Sequence, residues 1–403
     1  MKVLHLLAQL PAQTGSGIYY TNMIKHMADD YEQAALFGSI PNFRYDVLQA
    51  DRQFIVSFPN KYCPFPLPGM SDEMPYKSTR YSMMTPEMIA GWQQAFLAKL
   101  AEAAAVFKPD VILSHHLWFL TSLAAEKFAS IPVIAFCHAT DLRQARQHPY
   151  LLQYVQHLPQ VAHVFALSEH QIGDIQEVFK LPPAKLSVLG GGYDPAIFYS
   201  ERRLDKEVVD IIYAGKLSAS KGVFDLLTVF DRLAAHDKAI RLTVIGNADK
   251  KTAAVLRQHQ QKNPQLRLLD AVSQTELAEH FRKSDIFVLP SFYEGLPLIV
   301  IEALACGLYV VSSRFHALER HLGETVNNSG AIEYVTLPRL QDQDTPVAGD
   351  LAGFHCRLQE KINVQIGRVR SGETLPAAVS QQLARFTWPG LADTLSRFIK
   401  ELV

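Results

Sequence analysis

Two carboxylates, Glu294 and Glu302, sit within SFYEGLPLIVIEALACG at residues 291–307, directly after the apolar run DIFVLP. Pro297 suits the first position of a helix and Gly307 the position just past its end. The run LYVVSS then reads as a strand, which completes a strand–turn–helix–strand unit with parallel strands. In open α/β sheets ligands bind beyond the carboxyl ends of the strands, and the free N–H groups of a helix start attract phosphate. One carboxylate therefore falls in the ligand-facing loop and the other in the first turns of the helix. That pattern suits a ligand carrying both phosphate and hydroxyl groups.

Other polar residues gather at strand ends. The run VDIIYAG is followed by KLSASKG, placing Lys216 and Lys221 beside Gly215 and Gly222. Two cations at a strand end suit a diphosphate whose negative charge grows as it leaves, although solvated surface lysines are the common alternative. His138 ends the apolar run of IAFCHATDLRQ and is joined by Asp141 and Arg143. His115 and His116 end a neighbouring run; being adjacent, at most one of them is expected to line a ligand site. Gly15, Ser16 and Gly17 follow the first apolar run in QTGSGIYY, where small residues admit an anion or a sugar, or simply make a tight turn. Tyr20 stands where a dinucleotide fingerprint needs its third glycine. Asp342 and Asp344 spell DxD, a metal–diphosphate pattern in some sugar transferases, but no apolar strand delivers them and no metal site is expected there. A serine-hydrolase elbow, GxSxG, is absent.

The elements that must carry these groups alternate. KVLHLLA, AALFG, FIVSF, DVILS, PVIAFC, HVFALS and KLSVLG are strand candidates in the first half, with amphipathic stretches at 18–29, 86–107, 119–128 and 169–179. Such alternation predicts a parallel sheet with helices on both faces. The Pro- and aromatic-rich segment 57–85 interrupts it, either as a surface excursion packing its aromatics on the domain or as an insertion bordering an acceptor pocket. The pattern lapses near residues 194–207, where the domain junction is placed. VDIIYAG, RLTVIG, LRLLD, DIFVLP and LYVVSS then form a second series, with Val223, Leu226, Leu227, Phe230 and Leu233 sharing one helix face and a further helix over 274–283. After residue 315 turn signals mix with short apolar runs. The last twenty residues, from Ala384, read as a helix interrupted near Trp388–Pro389–Gly390.

The 403 residues exceed one ordinary domain, and 48% hydrophobic content supplies large cores. A formal net charge of −1 argues against bulk attraction to nucleic acid or anionic lipid. The four cysteines, Cys63, Cys137, Cys306 and Cys356, lack metal-ligand spacing and read as reduced thiols. The opening MKVLHLLAQLP is broken too early by Pro11 to be a secretory signal, and no run reaches the roughly 18 apolar residues of a membrane span. A cytoplasmic protein is expected, with peripheral contact at the inner face of a membrane left open.

These motifs together resemble the family 4 retaining glycosyltransferases, most densely over 209–313 and more thinly over nearly the whole chain. EGLPLIVIEALACG resembles that family's Glu-x7-Glu signature, GKLSASKG its phosphate-binding basic pair, TGSG its N-terminal glycine loop and FCHATD its strand-end histidine. KLSVLGGGYDPAIF is similar to the segment preceding its inter-domain linker. The resemblance implies a GT-B architecture: α/β, two doubly wound Rossmann-like domains facing across a cleft. The expected bounds are 1–194 for an acceptor-binding domain, 208–383 for a nucleotide-sugar domain and 384–403 for a helix returning to the first.

The resemblance also implies residue roles. Glu294 would contact donor-sugar hydroxyls, Glu302 the ribose, and Lys216 and Lys221 the diphosphate. Backbone amides over Gly295, Leu296, Pro297, Leu298 and Ile299 would assist (Pro297 contributing only its place in the turn), with Gly215 alongside. His138 would position the donor sugar, Gly15, Ser16 and Gly17 would line the same ligand, and the backbone near Ala271 and Val272 would meet the base. The implied reaction retains anomeric configuration without a metal or cofactor, moving sugar from a nucleotide diphosphate donor, UDP favoured, to a hydroxyl acceptor that could be glycan, lipid or small metabolite. A diphosphate oxygen would take the acceptor proton, so no dedicated base is expected. The chain departs from the family at Lys216, usually Arg, at Ser16, often Gly, and at Asp270, often Gly. Two other readings are a GT-B phosphorylase or epimerase, and a non-catalytic partner subunit of the same fold. Oligomeric state is not legible.

Overall fold

A computed structural model describes residues 1–403 apart from 12–13, 72–73, 202–206 and 343, together with the side chains of 250 and 251. The chain divides into two units, Met1–Gly192 with Trp388–Val403, and Tyr193–Thr387. The expected junction at 194–207 lies in part on residues outside those described. The chain passes from the first unit to the second at Gly192 and returns at Trp388, so the terminal piece begins four residues later than the sequence suggests.

The first unit holds seven parallel strands, β1 (Lys2–Leu7), β2 (Glu32–Ser39), β3 (Gln53–Ser57), β6 (Val111–His115), β7 (Val133–Phe136), β8 (His163–Ala166) and β9 (Leu186–Val188). A separate pair of two-residue strands, β4 (Pro68–Gly69) and β5 (Thr79–Arg80), lies between β3 and β6 in sequence. All seven expected strands form, in the order β3-β2-β1-β6-β7-β8-β9. Val3, Leu4, Leu6 and Leu7 of β1 are all fully buried, as a strand covered on both faces requires. The covering helices are α1 (Gly15–His26), α2 (Pro86–Val106), α3 (Phe119–Lys127), α4 (Ala139–Gln147) and α5 (Glu169–Phe179). The strand order reverses between β1 and β6, and a crevice at such a point is where open sheets bind ligands.

The described residues of segment 57–85 pack inward. Phe58, Cys63, Leu67, Met70, Tyr81 and Met84 belong to the main core of this unit. The last helix, α13 (Trp388–Leu402), packs in a second cluster of the same unit: Trp388, Leu391, Ala392, Leu395 and Ile399 are buried with Val3, Tyr19, Met23 and Phe136. Fully burying one such side chain stabilises by about 1.5–3 kcal/mol, so this face suffices to dock the helix. The expected interruption near Trp388–Pro389–Gly390 falls at Thr387, an extended residue between the 3-10 turn Ala384–Phe386 and α13; Pro389 then lies in the first turn of α13, where proline forfeits no intrahelical N–H bond.

The second unit has six parallel strands: β10 (Val209–Ala214), β11 (Ile240–Ile245), β12 (Leu266–Leu269), β13 (Ile286–Leu289), β14 (Tyr309–Ser313) and β15 (Ile332–Val335), in the order β12-β11-β10-β13-β14-β15. Its helices are α6 (Val223–His236), α7 (Lys250–Lys262), α8 (Gln274–Lys283), α9 (Leu298–Ala305), α10 (His316–Asn327), α11 (Leu351–Arg370) and α12 (Ala377–Leu383). Helix α8 covers the residues expected, and its start is fixed by Ser273 and Glu276 capping one another's backbone N–H groups. The sequence does not anticipate β15 or the helices α7, α10, α11 and α12. Phe354, Leu358, Ile362 and Ile366 of α11 pack on the sheet as one continuous face. Here the order reverses between β10 and β13.

Among the described residues no helix is long and apolar enough to cross a membrane. None of the four cysteines is in a disulfide; Cys63, Cys137 and Cys306 are buried and Cys356 is exposed.

Candidate active site

In the second unit the residues singled out by sequence lie at the carboxyl ends of β10 and β13. Gly215 follows β10 with φ +153°, and the buried Tyr213 hydroxyl donates to the Lys216 carbonyl at 2.9 Å, which holds the turn. Lys216 itself is exposed, and no described residue pairs with its ammonium. Lys221 ends a single 3-10 turn, and Gly222 then starts α6 in the left-handed region at φ +65°. A Cβ on Gly222 would fall 2.1 Å from the Pro290 carbonyl oxygen, so only glycine lets this turn lie against the end of β13. That close approach brings Lys221 to the Glu motif. Its Nζ lies 2.8 Å from Glu294 Oε1 and donates to the Tyr293 carbonyl at 3.2 Å.

Pro297 caps α9 rather than occupying its first turn, and Gly307 follows the helix with φ +82°. Gly295 is exposed, and a Cβ there would meet nothing within 4 Å, so the backbone before α9 is open to a ligand. Leu298 N–H bonds back to Leu296 and Val300 N–H to Pro297. Glu302 is 9% exposed, and its carboxylate has no hydrogen-bond or ion-pair partner among the described residues. Burial pushes its carboxyl up to about 7. Val272 is half-buried beyond β12, next to Ala271, whose N–H donates to Asn247 Oδ1 at 3.2 Å. The structure thus unites Lys221 with Glu294 and leaves Lys216 and Glu302 unpaired.

In the first unit the ends of β1, β6 and β7 converge. Thr14 caps α1 by accepting from Gly17 N–H at 3.1 Å, which sets Gly15, Ser16 and Gly17 in the first turn. Ser16 Oγ lies 2.8 Å from His116 Nε2, and His116 Nδ1 lies 2.6 Å from Asp141 Oδ1. Asp141 Oδ2 accepts from the backbone N–H groups of Leu117 at 2.8 Å and His138 at 2.9 Å. Burial works against ionisation of Asp141, but the His116 ring, then His138 and its N–H, hold the carboxyl below its ordinary range. Gln9 Nε2 reaches Ser16 Oγ at 2.6 Å and Thr14 Oγ1 at 2.9 Å. The Gln144 amide donates to the Met70 carbonyl at 3.0 Å, which joins segment 57–85 to the same neighbourhood.

His138 is buried with its Nε2 unpartnered, its ring centroid 4.9 Å from that of His116 and 6.0 Å from that of His115. Burial, then the neighbouring His116, lowers it to about 3, so it is a neutral imidazole. Of the adjacent pair, His116 enters the polar network while both ring nitrogens of His115 are buried without partners. Gln9 carries no signal in the sequence, and Asp141 is visible there only as a neighbour of His138. Asp342 Oδ1 accepts from the N–H groups of Asp344 at 3.0 Å and Thr345 at 2.8 Å.

The group 1 glycosyl transferase model matches residues 198–333 and the Glycosyltransferase Family 4 model matches residues 68–197. The glycogen synthase of Mycobacterium tuberculosis is 26% identical over 236 residues, covering 55% of each chain; this protein thus spans about half the length of the curated relatives it matches. Sucrose-phosphate synthase from Thermosynechococcus elongatus superposes with a TM-score of 0.68 at 14% identity, over 100% of this chain and 99% of that one. Anabaena HepE in complex with UDP gives 0.65 at 15% identity over 100% of both chains, and HepE has also been solved with UDP-glucose. These likenesses fix the fold as GT-B. With both family models matching in sequence, one after the other, on a chain that carries the Glu-x7-Glu pair, the protein belongs to the family 4 glycosyltransferases.

Proposed function

We propose that this protein transfers a sugar from a nucleoside diphosphate donor, UDP-linked, to a hydroxyl acceptor, retaining anomeric configuration and using no metal. The Lys221–Glu294 pair at 2.8 Å, set beside the open backbone of Gly295, is the observation that carries the reading. In that arrangement a cation suited to a diphosphate touches a carboxylate suited to sugar hydroxyls. Lys216 and Lys221, with N–H groups at the start of α9, offset the charge that grows on the leaving diphosphate. Fixed donors of this kind contribute the largest share of many rate enhancements. Glu302 accepts from ribose hydroxyls, which supply the hydrogen bonds its buried carboxylate lacks. The relatives solved with UDP support the choice of nucleotide.

The test is calorimetric titration of the full chain with UDP, GDP and ADP, with Glu302→Ala alongside, followed by transfer assays before and after chelation. Micromolar binding of UDP, weakened in the variant, and transfer that survives chelation are expected. Absence of binding to all three nucleotides would overturn the reading, and loss of activity restored by a divalent cation would overturn metal independence.

A further inference from the structure

In the second unit, the backbone around Ala271 and Val272 is where the base of a bound nucleotide would lie, and one side chain holds that backbone in place. Asp270, Ala271 and Val272 link the end of β12 to Ser273, the cap of α8. Both ends of this turn are fixed. Gly246 N–H donates to the Leu269 carbonyl at 3.0 Å, and Ser273 is locked in its reciprocal cap with Glu276. Between those ends the described residues give the turn's backbone one hydrogen bond, from Ala271 N–H to Asn247 Oδ1 at 3.2 Å. The Val272 N–H and the carbonyls of Asp270 and Ala271 have no partner among the described residues. Such groups are strong donors and acceptors, of the kind the edge of a nucleobase pairs with.

Asn247 is itself tied to the neighbouring turn. It follows Gly246 at the end of β11, where a Cβ would fall 1.9 Å from the Gly215 carbonyl oxygen. Glycine alone therefore lets this loop lie against the lysine-bearing turn after β10. That approach allows the Asn247 carbonyl to accept from Leu217 N–H at 3.3 Å, one residue from Lys216. Asn247 thus joins two turns, by its main chain to the turn of Lys216 and Lys221 and by its side chain to the turn at 270–272. The residue type fits the place. An aspartate accepts the same hydrogen bond but sets a negative charge near lysines suited to a diphosphate, whereas the amide supplies the acceptor without charge.

We propose that Asn247 is a positioning residue that keeps the 270–272 turn in register with the lysine turn, so that one donor nucleotide meets both. Base and diphosphate are joined through a single ribose, and both turns bind them together only while the spacing between the turns is held. Supporting hydrogen bonds of this kind set the precision of a site. The link to the lysine turn runs through main chain and the link to 270–272 through the side chain, so substitution at 247 releases the base turn alone. Asn247 thereby supports the base subsite of the transferase reading, on which this inference rests.

The test is calorimetry on the full chain with UDP, GDP, ADP and inorganic pyrophosphate, in the wild type, Asn247→Ala and Asn247→Asp. Asn247→Ala should weaken UDP binding by about 5–10-fold, the factor for one hydrogen bond, while leaving pyrophosphate within about 2-fold. Its preference for UDP over GDP and ADP should narrow as well. Asn247→Asp keeps the accepting oxygen, and repulsion from its new charge acts on UDP and pyrophosphate alike. The ratio of those two Kd values should therefore return to that of the wild type, a rescue that general loosening of the unit does not produce. An Asn247→Ala protein that binds UDP as tightly as the wild type, or that loses UDP and pyrophosphate equally, would overturn the positioning role while leaving nucleotide binding standing. A wild type that binds none of the three nucleotides would instead overturn the transferase reading together with it.

Discussion

Glu302→Gln should remove a loss of stability that the wild type suffers at alkaline pH, while weakening its grip on nucleotide. The residue lies on α9 among the buried Val300, Ile301, Ala303 and Leu304, and no described group hydrogen-bonds its carboxylate. Burial therefore favours its protonated form, lifting it from an ordinary 4.5 to about 7. A raised carboxyl contributes stability that is fully present below its unfolded value and is lost as pH rises through the folded one. At 1.36 kcal/mol per pH unit that loss is about 3 kcal/mol above pH 8. Glutamine keeps the size and stays neutral, but its amide has two N–H donors where the protonated acid has one O–H, so it carries an offset in stability that does not change with pH. Thermal unfolding at pH 5 measures that offset. Between pH 5 and pH 8.5 the melting point of the variant should rise by about 6–12 °C relative to that of the wild type, since 1 kcal/mol moves a domain of this size by about 2–4 °C. If the two proteins lose stability in parallel between pH 5 and 8.5, the carboxylate is not desolvated and the reasoning fails. Saturating UDP should then raise the melting point of the wild type more than that of the variant.

Glu294→Ala should abolish transfer while changing stability by less than about 1 kcal/mol, because an ion pair still partly open to solvent, with side chains 28% and 18% exposed, contributes little to folding; a fully active variant would remove Glu294 from the mechanism. Lys221→Ala should weaken UDP binding by about 1–3 kcal/mol in calorimetry, the range for losing a charged hydrogen-bond partner, and an unchanged Kd would place the diphosphate elsewhere. Gly222→Ala should destabilise the second unit by more than about 1 kcal/mol in denaturant unfolding, since its Cβ would meet the Pro290 carbonyl in a left-handed conformation; wild-type stability would mean the turn relaxes freely.

Most of the sheet framework was legible in the chain. Buried parallel strands read as continuous apolar runs, and twelve of the thirteen main-sheet strands follow such runs. The exception is β15, whose IEYV interrupts an apolar run with a glutamate that Lys361 pairs at 3.0 Å, a partner 28 residues away. Helix α11 carries Phe354, Leu358, Ile362 and Ile366 at helical spacing, but long polar residues and the preceding turn-rich stretch obscured that stripe. The fate of Trp388–Pro389–Gly390 was likewise a tertiary matter. The sequence shows a proline within a helical pattern, and the packing of Trp388 against Tyr19 favours a helix start there.

For the site, residue type and spacing alone determined the Glu-x7-Glu helix, the two lysines and the strand-end histidine, because each is a local signal at the end of its own strand. Only the tertiary structure decided who meets whom. Lys221 reaches Glu294 because Gly222 can lie against Pro290, a contact spanning about seventy residues of chain. Ser16, His116 and Asp141 come from three separate strand ends, and of two adjacent histidines only the one at φ +75° turns its ring into their network. Linear spacing carries no information about such meetings, because they depend on the strand order of the sheet, which brings β1 beside β6 and β6 beside β7.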